Sequence, residues 1–313
     1  VSPALINVGS EARPVRRVAG ADACANAVQR TWEGLKKPLF ENRAMETGQD
    51  ATTLTSLRFV SRPKIALIMA MRAEAQPLID ALELDMVPNW FPAAGGSTPY
   101  RRNEQRESEL GAEILLVHVG QCPRFGVDNI GTQPATLATY FAVSQFRPDL
   151  VLSVGTCGGF RRRGANVGDV YLADEAIIFH DRRIDLPGFD RYGLGNYKPA
   201  RIQHHANGIG AKLAIVSSGN SLDMPPSDHE VMERRGATVK DMEAAAVAWV
   251  CEQMSTPMSA LKSVTDIVDG EHATSEEFLR NLAFASRRLC DTTLDLLRAL
   301  ASDDPKRWTL FDE

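Results

Sequence analysis

Five short apolar runs recur along this chain, each followed by a turn and, in most cases, a segment of helical spacing: KIALIMA (64–70), EILLVHVG (113–120), DLVLSVG (149–155), LAIVSSG (213–219) and SALKSVTDIV (259–268). Each is the length of a strand and too short for a stable isolated helix, and each is apolar on both faces, as strands covered on two sides must be. A sixth segment, GDVYLADEAIIF (168–179), reads as an extended strand. Helical spacing is expected over Glu74–Leu82 and from Thr132 to Gln145, and MEAAAVAWVC (242–251) is apolar on all sides, which for a helix means burial. Thr274-Ser275-Glu276-Glu277 resembles a capping box that opens a last helix, with Phe278, Leu282, Ala285, Leu289, Leu296 and Leu300 on one face and an end near Ala301. Strands alternating with helices predict a three-layer α/β domain over residues 62–302, with a tail at 303–313. Residues 89–111, with prolines, a Gly-Gly pair and many charges, read as a loop or a weak hairpin.

The 313 residues and 44% apolar content allow a sizeable core, and the net charge of −5 is spread in both signs, which excludes the positive stripe a nucleic-acid partner needs. No stretch reaches the ~18 to 20 uncharged apolar residues of a membrane span. The five cysteines, Cys24, Cys122, Cys157, Cys251 and Cys290, have neither metal nor disulfide-scaffold spacing, which fits a reducing compartment and predicts no metal and no cofactor. Residues 1–61 read as a mobile N-terminal extension of a cytoplasmic protein. An organelle-targeting peptide is the alternative, suggested by Arg13, Arg16, Arg17 and Arg30 and opposed by Glu11, Asp22, Glu33 and Glu41.

In open α/β folds, ligands sit where strands end, so three post-strand loops are the places to look for chemistry. Gly155-Thr156-Cys157-Gly158-Gly159 can bring amides and a hydroxyl close to a sugar or ring; the alternative is a tight turn at positive φ. Asp241-Met242-Glu243, at the mouth of the apolar helix, can accept hydrogen bonds from a sugar diol, although one of the two acids can simply cap the helix. Thr265-Asp266 follows a buried strand, where desolvation raises a carboxyl pKa and can keep a proton available for a leaving group; a loop acid capping the next helix is the competing reading. Glu74, by itself, reads as an ordinary helix-start acid. His180-Asp181-Arg182-Arg183 fits either anion binding or loop anchoring, and Cys157, with no neighbouring histidine, reads as a space filler.

The blocks IALIMAMRAEAQPL, FGVDNIGTQPA, SVGTCGGFRRRGANVGDVYL, FHDRRI, SSGNSLDM, VKDMEAAAVAWVC and SVTDIVDG with TSEEFL stand in order over residues 63–302. As a set they resemble the nucleoside phosphorylase superfamily, and within it the methylthioadenosine nucleosidases in their plant-like form. The resemblance implies an αβα sandwich around a central mixed sheet, a homodimer, and hydrolysis of a methylthioadenosine-like nucleoside to adenine and 5-methylthioribose, with S-adenosylhomocysteine as a further candidate substrate. It implies that Glu74 activates the attacking water, Asp266 protonates N7 of the purine, and Glu243 binds the ribose hydroxyls above Met242. Thr156 and Gly158 would lie beside base and sugar, Leu222 would flank the adenine and Phe278 the alkylthio group; Asp241 and Thr265 complete the expected binding set. Two positions depart from the pattern: Asn220 stands where many relatives carry aspartate, and Arg72 is a cation beside the expected water site. A phosphorylase would need several arginines around phosphate, and only Arg72 and Arg124 are offered. A non-catalytic nucleoside-binding protein would be expected to have lost at least one of the three acids.

Overall fold

All five apolar runs form strands of one sheet. The computed structural model describes residues 62–88, 96–102, 107 and 109–309, so the expected extension at 1–61 lies outside the described residues. In chain order the elements are β1 (Lys64–Met69), α1 (Arg72–Ala81), β2 (Asp85–Met86), β3 (Thr98–Arg101), β4 (Glu113–His118), α2 (Thr132–Phe146), β5 (Leu150–Gly159), β6 (Val170–Phe179), α3 (Phe189–Leu194), β7 (Lys212–Ser218), α4 (Pro226–Arg235), β8 (Val239–Asp241), α5 (Ala244–Gln253), β9 (Met258–Ile267) and α6 (Thr274–Ala301).

Alternation along β1 makes the layers. Ile65, Leu67 and Met69 enter a cluster with Leu78 of α1 and Leu289, Leu296 and Leu300 of α6, while Ala66 and Ile68 enter another with Ala138 and Ala142 of α2 and Ala244–Ala248 of α5. Each fully buried Leu or Ile in these clusters stabilises the fold by roughly 1.5–3 kcal/mol relative to exposure. The all-apolar α5 is buried because it lies against both α2 and the sheet.

The sheet is mixed and ordered β2-β3-β4-β1-β5-β8-β7-β6-β9. β1 lies parallel to β4 and β5, whereas β2–β3, β3–β4, β5–β8 and β6–β9 are antiparallel. β9 also pairs in parallel with β5, so β5, β8, β7, β6 and β9 close into a ring. The weak hairpin expected within 89–111 corresponds to β3, which pairs with β2 on one side and β4 on the other.

Three local expectations are corrected. The Gly155–Gly159 segment is not a turn: β5 runs straight through it, and neither Gly155, Gly158 nor Gly159 has positive φ. These glycines serve close approach, because β5 carries β9 on one side and β8 on the other there. The capping box at Thr274 does not form, since the helix starts one residue earlier with Ala273 as its cap; Glu277 instead accepts a hydrogen bond from the Ile267 backbone at 2.9 Å. Of the expected tail, the described residues 303–309 pack rather than trail, with Trp308 of the Pro305–Trp308 turn fully buried.

Candidate active site

The carboxyl ends of β5, β8 and β9, the loop after β7 and the first turns of α1 and α6 converge on one cleft. It gathers Glu74, Thr156, Gly158, Leu222, Asp241, Met242, Glu243, Thr265, Asp266 and Phe278, from positions spread over two hundred residues. Lys240 is the cleft's one lining cation among the described residues; no arginine lines it.

Glu74 is the third residue of α1, and its Oε2 accepts from the backbone of Met71, the residue that caps the helix, at 3.2 Å. Its other oxygen crosses to β5 and accepts from both the backbone N–H and the hydroxyl of Thr156, at 2.7 and 2.6 Å. Glycine at 155 leaves room for the crossing, since a Cβ there would lie 3.3 Å from the carboxylate and press on it.

Asp266 owes its aim to a bulge. Between Cys157 and Gly158 the β5–β9 register slips by one, so Thr265 is an extra residue in β9 and both Thr265 and Asp266 line the cleft. The Thr265 hydroxyl donates to Asp266 Oδ1 at 2.7 Å. Burial raises the Asp266 pKa, opposed by that hydrogen bond and by Lys240, with Glu277 adding to the rise. Gly158 is again a matter of space: a Cβ there would fall 2.5 Å from Val268 and 2.8 Å from the Asp266 carboxylate.

The two acids of Asp241-Met242-Glu243 divide their work. Asp241 is fully engaged, accepting from the Ser218 hydroxyl on one oxygen and from the Ala244 backbone (2.9 Å) and Lys262 (2.7 Å) on the other. It lines the cleft but acts as the cap of α5 and the partner of a buried ammonium. Glu243 accepts from the Gly131 backbone at the start of α2, at 2.8 Å. Its pKa is pushed up to about 7, by burial first and by Asp241 next, against Lys262 and the Gly131 hydrogen bond.

Sequence reasoning passed over Lys262, a buried lysine in the apolar strand β9 that also donates to Ser153 at 3.1 Å. Burial alone would lower its pKa, but Asp241, Glu243 and Glu74 outweigh burial and raise it. Its signal was legible, a single charge inside SALKSVTDIV. Lys240 was also missed; it donates to the carbonyls of Ser221 and Leu222 and holds the loop carrying Leu222.

Of the remaining candidates only Cys157 lines the cleft, and the others lie outside it. Arg72 bonds the Tyr100 hydroxyl and stacks on that ring, and Arg124 stacks on Phe125. Asn220 is spent on structure: Oδ1 accepts from the backbone and hydroxyl of Thr132, while its own N–H and Nδ2 donate to Asp181. Asp181 thus anchors a loop, as does Arg183 through Asp228, and Arg182 stacks on Phe179 and Tyr192. His180 is buried against Ser217, with burial lowering its pKa to about 4, so it stays neutral at physiological pH. Cys157 is buried with its thiol pKa raised, an inert filler.

Residues 64–298 match the phosphorylase superfamily. The chain is 37% identical over 233 residues to a 5'-methylthioadenosine nucleosidase of Arabidopsis thaliana, covering 74% of this chain and 85% of that protein. It is 41% identical over 226 residues to a 5'-methylthioadenosine/S-adenosylhomocysteine nucleosidase of the same plant, covering 72% and 87%. The apo structure of the Arabidopsis thaliana 5'-methylthioadenosine nucleosidase superposes with a TM-score of 0.74 at 34% identity, over 79% of this chain and 99% of that one. The fold, its mixed sheet and these relationships place the chain in the phosphorylase superfamily and, within it, in the family of methylthioadenosine nucleosidases, which are N-glycosyl hydrolases.

Proposed function

We propose that the cleft hydrolyses the N-glycosidic bond of 5'-methylthioadenosine, releasing adenine and 5-methylthioribose, as a cytoplasmic step of methionine salvage. The observation that carries this reading is the convergence of Glu74, Glu243 and Asp266 from three different elements on one cleft that no arginine lines among the described residues. Cleaving such a bond passes through an oxocarbenium-like sugar, which calls for an acid on the base side, a water on the opposite face and anionic support at the ribose. Asp266, whose carboxyl pKa is raised by burial, donates its proton to N7 of the leaving adenine. Glu74 takes the proton of the attacking water, and the new C–O bond forms at the anomeric carbon as the C–N bond breaks. Glu243 accepts the ribose hydroxyls above Met242, Thr156 and Gly158 lie beside base and sugar, Leu222 flanks the adenine and Phe278 the alkylthio group. Thr265 and Asp241 act through their neighbours, Thr265 by orienting Asp266 and Asp241 by fixing Lys262 and α5. No metal or cofactor enters these steps.

The catalytic domain spans 62–302, and the working unit is a homodimer in which a neighbouring subunit closes the alkylthio end. Supporting this, Phe125, Val127 and Ile130 are exposed on the segment that leads into the cleft. The described cysteines are all free thiols, in keeping with a reducing compartment.

Incubating the protein with 5'-methylthioadenosine, with and without phosphate, tests the reaction: free methylthioribose in both cases is expected, and a sugar phosphate would assign a phosphorylase instead. Binding of adenine with no turnover of either nucleoside would assign a binding protein. Assaying S-adenosylhomocysteine alongside sets the substrate range.

A further inference from the structure

Away from the cleft, Gln203–His205 forms a single 3-10 turn before β7, and the rings of His204 and His205 lie with centroids 3.9 Å apart, tilted 41° to each other. Both Nε2 atoms face one oxygen, Asp303 Oδ2, at 2.8 Å from His205 and 3.7 Å from His204. Asp303 lies just past the end of α6, 98 residues further on, so local spacing in the sequence could not reveal the group. Trp308 Nε1 donates to the same oxygen at 3.3 Å. All three ligand atoms lie within 4.8 Å of one another.

We propose that His204, His205 and Asp303 bind a divalent transition-metal ion of the zinc type, which clasps the end of α6 to the turn before β7. Two imidazoles and a carboxylate are a donor set for Zn²⁺ or Co²⁺; Mg²⁺ and Ca²⁺ take oxygens. Tetrahedral ligation at ~2.0–2.1 Å spaces ligand atoms roughly 3.3 Å apart. The distances of 2.8 and 3.7 Å bracket that spacing, so small side-chain rotations complete the set. The His204 side chain is 59% exposed, which leaves an approach for the ion and a fourth position for water. Binding uses the Nε2 lone pairs, so the proton His205 shares with Asp303 moves to Nδ1, and any imidazolium releases its proton to solvent.

The competing role is a hydrogen-bond hub that ties down the Trp308 segment. Such a hub needs His205, Asp303 and Trp308 but gains nothing from an exposed His204 at 3.7 Å, whereas a metal site needs His204 as a ligand. The test is a Co²⁺ titration of the full chain without an affinity tag, read by the visible absorption of tetrahedral Co²⁺ and by Zn²⁺ displacement. One equivalent should bind. His204→Ala should weaken binding at least ~10-fold while leaving the metal-free melting temperature unchanged. His229→Ala should bind like the wild type. Wild-type affinity in His204→Ala, or no equimolar uptake by the wild type, overturns the site. Should Asp303→Asn fail to fold, the exposed His204 position still decides the matter.

Discussion

Glu74 and Thr156, 82 residues apart, meet at one oxygen: Thr156 donates both its backbone N–H and its hydroxyl to Glu74 Oε1. With Oε2 held by Met71, the carboxylate has a fixed orientation over β5. In the proposed reaction, a carboxylate this constrained would meet its water in one place only.

Glu74→Gln keeps an acceptor for Thr156 but loses the base. Turnover of 5'-methylthioadenosine, followed by adenine release, is expected to fall ~10²- to 10⁴-fold with little change in melting temperature. Activity within tenfold of wild type would remove Glu74 from the water-activating role.

Asp266→Asn is expected to nearly abolish turnover, because the amide cannot deliver a proton to N7. Its effect on stability has the opposite sign. A carboxyl whose folded pKa is raised binds its proton more tightly in the native state, so its contribution to stability is lost as pH rises from the unfolded value through the folded one. Asn carries no such burden, so the variant should melt above wild type at neutral pH, the gap closing as pH falls toward the ordinary carboxyl range. Thermal melts across that range check the sign.

With a pKa of about 7, Glu243 should set the acid side of the pH profile. Below that value the carboxyl protonates and can no longer accept from both ribose hydroxyls, so kcat/KM should fall as pH drops. Glu243→Gln should cost roughly 10- to 100-fold in kcat/KM, as expected for hydrogen bonds to a charged group worth ~1.5–3 kcal/mol, and should flatten the acid limb. An unchanged limb in the variant would assign that titration elsewhere.

Trp308→Ala removes a fully buried ring from the cluster that α1, α6 and the sheet share, and should cost ~3–5 kcal/mol in denaturant unfolding. A loss under ~1 kcal/mol would mean that the segment past α6 contributes little to the core.

The strands were readable because burial on two faces leaves a short apolar run of strand length. Val239–Asp241 was not: three residues, one of them Lys240, carry no period, and β8 exists only because β5 and β7 flank it. Ring closure and the bulge at Thr265 depend on pairings between distant segments, which local spacing does not encode. At the cleft, Asp266 and Glu243 stood out as acids beside buried elements, and Thr265 with them, but Gly131 orients Glu243 through its backbone N–H alone, which no side chain could announce. Glu74 looked like any helix-start acid; its reach to Thr156 becomes visible only once β5 lies beneath α1.

The closed ring also bears on how these molecules behave in a crowded solution. A nine-stranded sheet would ordinarily expose two long rows of unpaired amides, ready to template strands from another copy. Here β9 folds back onto β5, removing one row, and the opposite margin tapers to the two-residue β2, Asp85–Met86. Among the described residues, that leaves little purchase for edge-to-edge polymerisation, so any self-association must proceed through helices and loops.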